Sequence, residues 1–262
     1  MQVRNIAKIL VEKPFHALGF DIVRQRPSSE PDEPAAGDKR WEVPEENRFL
    51  WLAGLNINTI VDIGAHIGEF ARMIHKILPN ASIFSFEPLE APFSELKNNM
   101  GRVPNFMAFK YALGDTTGIM EMHRNDFTPS SSLLPMTDRH KDIFPFTAAE
   151  TIETVDGRRL DDVLKDLYFE DNILVKIDVQ GYEHRVILGG EKLLSRAKLL
   201  IVETSFLPLY EGQPLFDDIY SMLRQRGFAY IGNWEQFISP ADGSVLQADA
   251  MFIREERSSL RA

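Results

Sequence analysis

Short apolar runs alternate with helical periods along most of the chain. Apolar residues that recur at spacings of three and four predict helices, at about 70–78, 92–100, 182–197 and 216–226. The apolar runs predict strands, at 59–63, 82–86, 105–111, 173–177, 199–203, 228–232 and 250–254. Strands that alternate with helices form parallel sheets with right-handed crossovers. We therefore expect a doubly wound α/β fold with a seven-stranded, mostly parallel sheet and an antiparallel closing strand pair.

Residues 112–156 interrupt this alternation. The runs at 118–123 and 147–155 have strand character, and they flank a polar loop that contains a run of three serines. We interpret this part as a β insertion over the active site. Its serine hydroxyls are candidates for binding the acceptor substrate, and they belong to Ser130, Ser131 and Ser132. A turn is expected at 241–244, between the two closing strands.

The first 54 residues lie outside the α/β pattern. Residues 1–20 predict a short amphipathic helix and an apolar patch, and residues 27–40 have the Pro- and Glu-rich composition of a linker or mobile lid. We expect a helical extension and linker over 1–54 and the α/β domain over 55–256. The extension would pack on the domain or on a second copy, giving a homo-oligomer. No run approaches the ~20 apolar residues that a spanning helix needs.

Composition narrows the partners of the protein. Its 262 residues are 44% hydrophobic and 26% charged, which is ordinary for a globular domain with one core. The net charge of −10 disfavours nucleic acid, because phosphate binding depends on clustered Lys and Arg. The absence of cysteine excludes disulfides, thiolate metal sites and a cysteine nucleophile. We expect a cytoplasmic protein that acts on a small molecule.

A glycine turn follows the first predicted strand, in the segment VDIGAHIGEF at 61–70. Gly64 and Gly68 allow the backbone to come close to a ligand. A dinucleotide-binding turn carries a third glycine and needs no acid before it, so a nicotinamide-dependent oxidoreductase is disfavoured. Asp62 suits a cation, and S-adenosylmethionine carries both an α-amino group and a sulfonium. The turn favours that cofactor, although a purely structural βα loop is the alternative.

A second acid, Glu87, ends the next predicted strand. A carboxylate at this point can accept hydrogen bonds from both ribose hydroxyls of a nucleoside. The alternative for Glu87 is a first-turn acid of the following helix. His66, inside the glycine turn, is a candidate contact for the cofactor carboxylate or the acceptor, against the alternative of an exposed turn histidine.

Two charged residues, Lys176 and Asp178, interrupt an apolar predicted strand at 173–177 and the turn after it. Charges in such a run need partners or a task. If the cofactor that the glycine turn favours gives its methyl group to an alcohol, the reaction needs alignment and a base for the hydroxyl proton, and Asp178 is the first candidate for that base. Glu203, at the end of the adjacent strand, would lie beside it, and the pair could share a proton, a bridge to Lys176 or a divalent cation. The alternative is a buried structural ion cluster.

The segment KIDVQGYEHRVILGG at 176–190 resembles the hallmark of the FkbM-type methyltransferase family. The resemblance extends over residues 55–255 through three further motifs, DIGAHIG at 62–68, FEP at 86–88 and ALGD at 112–115. It implies a class I methyltransferase fold, S-adenosylmethionine as the donor and O-methylation in natural-product, glycan or lipid-linked sugar pathways. Members usually carry Glu where this chain has Gln180, so the resemblance does not extend to that residue.

The motifs and the resemblance together give the candidate site. Class I methyltransferases place residues after the third strand around the adenine, so Asp115 is a candidate acceptor for its amine, unless a simple turn explains it. The candidate cofactor-binding residues are Asp62, Gly64, Ala65, His66, Gly68, Glu87, Pro88, Ala112, Leu113, Asp115 and Asp178. The candidate catalytic residues are Asp178, Glu203 and Lys176. Glu183 and His184 join the three serines as candidates for substrate binding, and no metal is indicated.

Two other functions fit the same fold. An aminopropyl transferase uses a decarboxylated relative of the cofactor, but it needs an acidic polyamine pocket for which we see no second acid cluster. A non-catalytic methyltransferase-like binding module would retain the glycine turn and lose the base, whereas Glu87, Asp178 and Glu203 are all present. We therefore expect an S-adenosylmethionine-dependent O-methyltransferase acting on a hydroxyl of a small-molecule, sugar, glycan or natural-product acceptor.

Overall fold

The computed structural model describes residues 49–239 and 242–255. The expected extension and linker up to residue 48, and Ala241 of the expected turn, lie outside the described residues. A compact unit begins at Leu55 and contains two β-sheets. Among the described residues, no helix is both long and apolar enough to cross a membrane.

Strands and helices alternate along this unit. The strands are β1 (Thr59–Ile63), β2 (Ser82–Phe86), β3 (Phe106–Phe109), β4 (Ala112–Gly114), β5 (Gly118–Asn125), β6 (Glu150–Arg159), β7 (Ile173–Ile177), β8 (Ala197–Ser205), β9 (Phe228–Ile238) and β10 (Val245–Arg254). The α-helices are α1 (Glu69–Ile77), α2 (Glu90–Met100), α3 (Asp138–Ile143), α4 (Leu160–Leu164), α5 (Glu183–Gly189), α6 (Glu191–Arg196) and α7 (Phe216–Gln225). Short 3-10 helices span Leu50–Leu55, Thr128–Ser130 and Pro145–Thr147.

The larger sheet has seven strands in the order β3-β2-β1-β7-β8-β10-β9. The pairs from β3 to β8 are parallel, and β10 runs antiparallel to both β8 and β9. The predicted doubly wound sheet with its antiparallel closing pair is therefore confirmed. The strand order reverses between β1 and β7, and ligands of such sheets bind at the carboxyl ends of the strands beside this point.

The predicted β insertion is present, with one difference from the expected strands. β4 leaves the line of β3 and pairs in parallel with β6, which pairs antiparallel with β5 to give a sheet in the order β4-β6-β5. The prediction of a single strand over 105–111 is therefore wrong after Phe109. The sequence gives no sign of the change of sheet, because both segments are apolar and short.

The predicted helix over 182–197 is two helices. Gly190 (φ −122°, ψ 25°) stands between α5 and α6 and breaks the helical path. A side chain at Gly190 would place its Cβ 2.8 Å from Leu160 Cδ2, so the break lets this segment pack tightly on α4. The short helices α3 and α4 were not predicted, since five or six residues are too few to show a helical period.

The two faces of the large sheet differ in character. Residues of one face, among them Val61, Val175 and Phe252, are fully buried in the main apolar core. On the opposite face, Asp62 of β1 lies in register with Lys176 of β7. Successive side chains of a strand alternate between the two faces of the sheet, so this register places both charged groups next to each other on the same face.

Two close approaches shape the glycine turn after β1. Gly64 has a φ of +80°, and a Cβ there would lie 1.7 Å from the carbonyl oxygen of Asp178. Gly68 has a φ of +85°, and a Cβ there would lie 2.8 Å from Cδ1 of Leu96 in α2. The first glycine thus brings the turn against the loop after β7, and the second brings it against a neighbouring helix.

We predict that Gly64→Ala lowers the free energy of unfolding by about 3 kcal/mol or more, because the new methyl group overlaps a backbone oxygen that cannot move away cheaply. Denaturant unfolding monitored by circular dichroism measures this change.

Gly212→Ala is the matched control. Gly212 has a similar φ of +72°, but a Cβ there would meet no atom within 4 Å, so its substitution reports backbone strain alone. That strain costs about 1 kcal/mol. Equal losses in the two variants would show that the contact with Asp178 contributes nothing.

Candidate active site

Polar side chains occupy one face of the large sheet, close to the carboxyl ends of its central strands. Asp62 lies opposite Ser85 of β2 on one side and Lys176 of β7 on the other, and Glu203 of β8 lies opposite Asp249 of β10. Alternation along each strand places all of these side chains on the same face. The carboxyl ends of the central parallel strands therefore carry a polar cluster where the strand order reverses.

The buried ammonium group of Lys176 is at the centre of this cluster. Its Nζ lies 2.6 Å from Oδ2 of Asp178, and its side chain is only 11% exposed. Burial opposes its charge, but Asp178, Asp249 and Asp62 outweigh burial and raise the pKa of Lys176 above its ordinary value. The ring of Phe70 in α1 lies 5.6 Å from the same nitrogen. Lys176 therefore stays positively charged although its side chain is buried.

Carboxyl groups outnumber this cation. Burial raises the pKa of Asp62 to about 6, although Lys176 and a hydrogen bond of 3.2 Å from Ser85 Oγ oppose the rise. Burial likewise raises the pKa of Asp249 to about 6. With Asp178 and Glu203, four carboxyl groups interact with one lysine. A cationic ligand would relieve this excess of negative charge.

An amide joins two of these carboxyl groups. Nε2 of Gln180 donates to Oδ1 of Asp178 and to Oε2 of Glu203, each at 2.8 Å. Oε1 of Gln180 accepts the hydroxyl of Tyr210 at 2.8 Å. Burial raises the pKa of Glu203 well above its ordinary value, and the charges of Asp178 and Glu183 add to the rise. Asp178 and Glu203 thus belong to one hydrogen-bonded group.

Glu87 connects the tips of β1 and β2. Its Oε2 accepts the backbone N–H of His66 at 3.0 Å, and its Oε1 accepts the backbone N–H of Leu89 at 2.9 Å. Burial raises the pKa of Glu87 to about 7 against these two hydrogen bonds. The two strand tips expected to hold a nucleoside therefore lie together. A ribose contact by Glu87 stays a prediction, and each oxygen retains a lone pair for it.

The other cofactor candidates beside these tips are Ala65 and Pro88, which are both buried. Ala65 donates its backbone N–H to the carbonyl of Phe86 at 2.9 Å. His66 has a φ of +47°, and its Nε2 lies 2.8 Å from Oγ1 of Thr128 in the insertion. Burial lowers the pKa of His66, so its ring is neutral near pH 7.

The three serines attach the insertion to the loops around the site. Ser132 Oγ donates to the carbonyl of Gln180 at 2.6 Å, and Ser131 Oγ accepts the backbone N–H of Asn125 at 3.0 Å. Ser130 accepts the Tyr210 hydroxyl on its carbonyl oxygen at 3.1 Å. The contact of these serines with an acceptor stays a prediction, and the hydroxyls of Ser131 and Ser132 already have protein partners.

The ALGD motif packs against the helix after β7. Ala112 and Leu113 are buried within β4, and a Cβ at Gly189 in α5 would lie 1.8 Å from the carbonyl oxygen of Gly114. Asp115 accepts a hydrogen bond of 2.8 Å from Nη1 of Arg185 in the same helix. The motif and Gly189 thus form a tight contact. Adenine recognition by Ala112, Leu113 and Asp115 stays a prediction.

Glu183 shapes the turn between β7 and α5. Its Oε1 accepts the backbone N–H groups of Val179 at 3.1 Å and Gly181 at 3.0 Å, and burial raises its pKa to about 7. His184 packs at an angle of 63° against the ring of Tyr182. Both stay predicted acceptor contacts. No group of three or more His, Cys, Asp or Glu that could hold a metal is found in the described part of the chain.

Three members of the cluster, Asp249, Ser85 and Tyr210, were not predicted from the sequence. Asp249 carried a usable signal, because it is an acid between two buried alanines, Ala248 and Ala250. Ser85 and Tyr210 carried none, since a serine in a strand and a tyrosine in a loop are common. Their parts in the site follow from register and from the path of the chain after β8.

Comparison with known proteins supports a methyltransferase. The sequence profile described as the methyltransferase FkbM domain matches residues 62–230, which is more than half of the chain. The match begins at Asp62 and includes the glycine turn, Glu87 and the segment from Lys176 to Gly190.

Three relatives have names that describe transferases. The 2-O-methyltransferase NoeI of Sinorhizobium fredii is 30% identical over 59% of this chain and 66% of its own length. Methyltransferase sdnD of Sordaria araneosa is 26% identical over 64% of this chain and 73% of its own. The hexuronic acid methyltransferase AglP of Haloferax volcanii is 27% identical over 62% of this chain and 58% of its own. The matched part of the chain thus spans less than two thirds of the first and third relatives.

We predict that Glu87→Gln destabilises the protein while Glu183→Gln does not. Both oxygens of Glu87 accept backbone N–H groups, so an amide there turns an NH2 group towards a backbone donor, at a cost of about 1–3 kcal/mol. In Glu183 a single oxygen, Oε1, accepts the backbone N–H groups of both Val179 and Gly181, so the oxygen of a glutamine amide can take its place. Thermal unfolding at pH 7 compares them, and equal stability of the two variants would contradict the distinction.

The ligand-free protein should also lose stability as the pH rises from 5 to 8. Four buried carboxyl groups have native pKa values raised to about 6–7, and they belong to Asp62, Glu87, Glu183 and Asp249. The stability that they contribute to the folded state is complete below their pKa values in the unfolded chain. It is lost as the pH rises through 6 and 7. Asp62→Asn should remove about 1.4 kcal/mol of this loss. Unfolding in denaturant across the pH range measures it.

Asp166→Asn is the control for that series, because Asp166 is an exposed residue of the loop after α4. Its stability profile should follow that of the unchanged protein. If Asp62→Asn also follows it, the buried carboxyl group of Asp62 does not take up a proton on folding.

Proposed function

Because the chain belongs to the FkbM methyltransferase family, we propose that it transfers the methyl group of S-adenosylmethionine to a hydroxyl oxygen of a small, carbohydrate-like acceptor. The observation that carries this proposal is the excess of carboxyl groups around Lys176 where β1 and β7 meet. A site of this kind favours a cationic ligand over a phosphate-bearing dinucleotide, because like charges in a buried site repel.

The relatives support the acceptor class. One is named as a 2-O-methyltransferase and another as a hexuronic acid methyltransferase, and a hexuronic acid is a sugar acid that carries several hydroxyl groups. The net charge of −10 also supports a small acceptor, because it disfavours a nucleic acid as the methylated molecule.

The residues at the strand tips fit the cofactor. Asp62 lies buried before the glycine turn and suits the α-amino group, and Glu87 at the tip of β2 suits the ribose hydroxyls. S-adenosylmethionine supplies a methyl group activated by a positive sulfur. The protein has to align that group with the acceptor oxygen, exclude water and remove the hydroxyl proton.

Asp178 is the first candidate for the base. It follows β7 directly, and its backbone N–H donates to the carbonyl of Ile63 at 3.0 Å, which fixes it beside the glycine turn. Glu203 is the second candidate, because burial raises its pKa and so makes it a stronger base than an ordinary carboxylate. Lys176 would stabilise the negative charge of Asp178 between turnovers.

Calorimetric titration and a transfer assay test the proposed function. S-adenosylhomocysteine should bind the purified protein and NAD should not. Labelled S-adenosylmethionine should then pass its methyl group to members of a panel of monosaccharides, uronic acids and oligosaccharides. Binding without transfer to any hydroxyl compound would indicate a binding module, and binding of NAD alone would overturn the assignment.

We predict that Asp178→Asn slows methyl transfer by about a hundredfold or more, because it removes the base while its amide oxygen can still accept a hydrogen bond. S-adenosylhomocysteine affinity should change little. Glu203→Gln serves as the matched variant and should slow transfer less. Reversed effects of the two variants would assign the base to Glu203.

A further inference from the structure

The side-chain amide of Gln180 lies among three polar side chains. Its Nε2 donates one hydrogen to Asp178 Oδ1 and the other to Glu203 Oε2, both at 2.8 Å. Its Oε1 accepts the hydroxyl of Tyr210 at 2.8 Å. All the hydrogens of the amide are therefore used, and both of the candidate bases are bound to the same nitrogen.

Two features fix the orientation of this amide. A flipped amide would turn Oε1 towards two carboxyl groups, so the nitrogen must face them. Tyr210 is fully buried, and its hydroxyl reaches both Oε1 and the carbonyl of Ser130. The backbone of Gln180 is also held in the left-handed region, with a φ of +55°, while its carbonyl accepts Ser132 Oγ. Such a conformation persists only where its surroundings hold it.

The position of the amide has an electrostatic consequence. Two carboxyl groups this close to one atom would ordinarily share a proton, because both cannot ionise freely. A neutral amide that donates to each of them replaces that proton and leaves both able to act as acceptors. The other titratable groups that act on Glu203 and Tyr210 come from α5 and from three strands, and they are Lys176, Glu183, Asp249 and Glu150.

We propose that Gln180 is a positioning residue whose amide takes the place of a proton shared between Asp178 and Glu203, so that one of them can take the hydroxyl proton of the acceptor. The proton passes to a carboxylate oxygen, and the electron pair of the O–H bond stays on the acceptor oxygen for its bond to the methyl carbon. The bond between that carbon and sulfur breaks with its electron pair going to sulfur, so S-adenosylhomocysteine is the leaving group. This inference rests on the proposed methyl transfer, and it adds the residue that keeps the base ready.

Gln180→Glu tests the proposal with a side chain of the same shape. An ionised third carboxyl group in this place has no hydrogen to donate. The three carboxyl groups must therefore retain a proton among them. The acid limb of the pH profile of kcat should move up by about one pH unit or more. On that limb kcat should therefore be about tenfold lower than in the unchanged protein, and it should recover at higher pH. The KM for S-adenosylmethionine should change by less than threefold.

Two further variants define the comparison. Tyr210→Phe removes the hydroxyl that orients the amide, and it should move the same limb in the same direction by less. Gln225→Glu adds the same charge at an exposed residue at the end of α7, and it should leave the profile unchanged. A loss of rate that is equal at all pH values in Gln180→Glu, or an unmoved profile, would overturn the proposal.

A titration that needs no activity separates this inference from the proposed function. The carboxyl carbon of Glu203, labelled with carbon-13 and identified by its loss in Glu203→Gln, can be followed by NMR in the ligand-free protein. It should titrate about one pH unit higher in Gln180→Glu than in the unchanged protein. An unchanged titration would overturn the role of Gln180 even if methyl transfer is found, and a shift would support it even if no acceptor is found.

Discussion

One buried ammonium group, that of Lys176, allows several carboxyl groups to share a single edge of the sheet. An unpaired buried carboxylate is costly, so acids of this kind persist only beside a cation or a set of donors. Lys176 provides the cation for Asp178, Asp62 and Asp249, and the amide of Gln180 provides the donors for Asp178 and Glu203. The remaining negative charge favours a cationic ligand over an anionic one.

The same edge of the sheet depends on how closely three loops approach one another. The glycine turn contacts the backbone after β7 at Gly64, and the tip of β2 is joined to the turn through Glu87. Residues that look like ligand contacts in the sequence therefore also hold the loops in place. A ligand bound between these loops would meet groups that the fold already holds in place, as expected for a preorganised centre.

The central sheet could be predicted well because its strands are apolar on both faces and their ends are marked by turns. The bounds of β1, β2 and β7 agree with the predicted runs at 59–63, 82–86 and 173–177. The path of β4 could not be predicted, because its choice of sheet depends on β6, some forty residues later. Asp62, Glu87 and Asp178 could be identified as candidates because each lies at or near the end of a strand, whereas Tyr210 reaches the cluster only through tertiary packing.

The way in which the insertion is fastened has a consequence for how this scaffold can diversify. The attachment from Tyr210 ends on the backbone carbonyl of Ser130, which any residue at that position would present, whereas the attachment to Gln180 needs the hydroxyl of Ser132. The loop that carries these contacts can thus exchange many of its side chains without coming loose from the sheet. Descendants of such a protein can acquire new molecular preferences in this loop while the buried charges beneath it stay untouched.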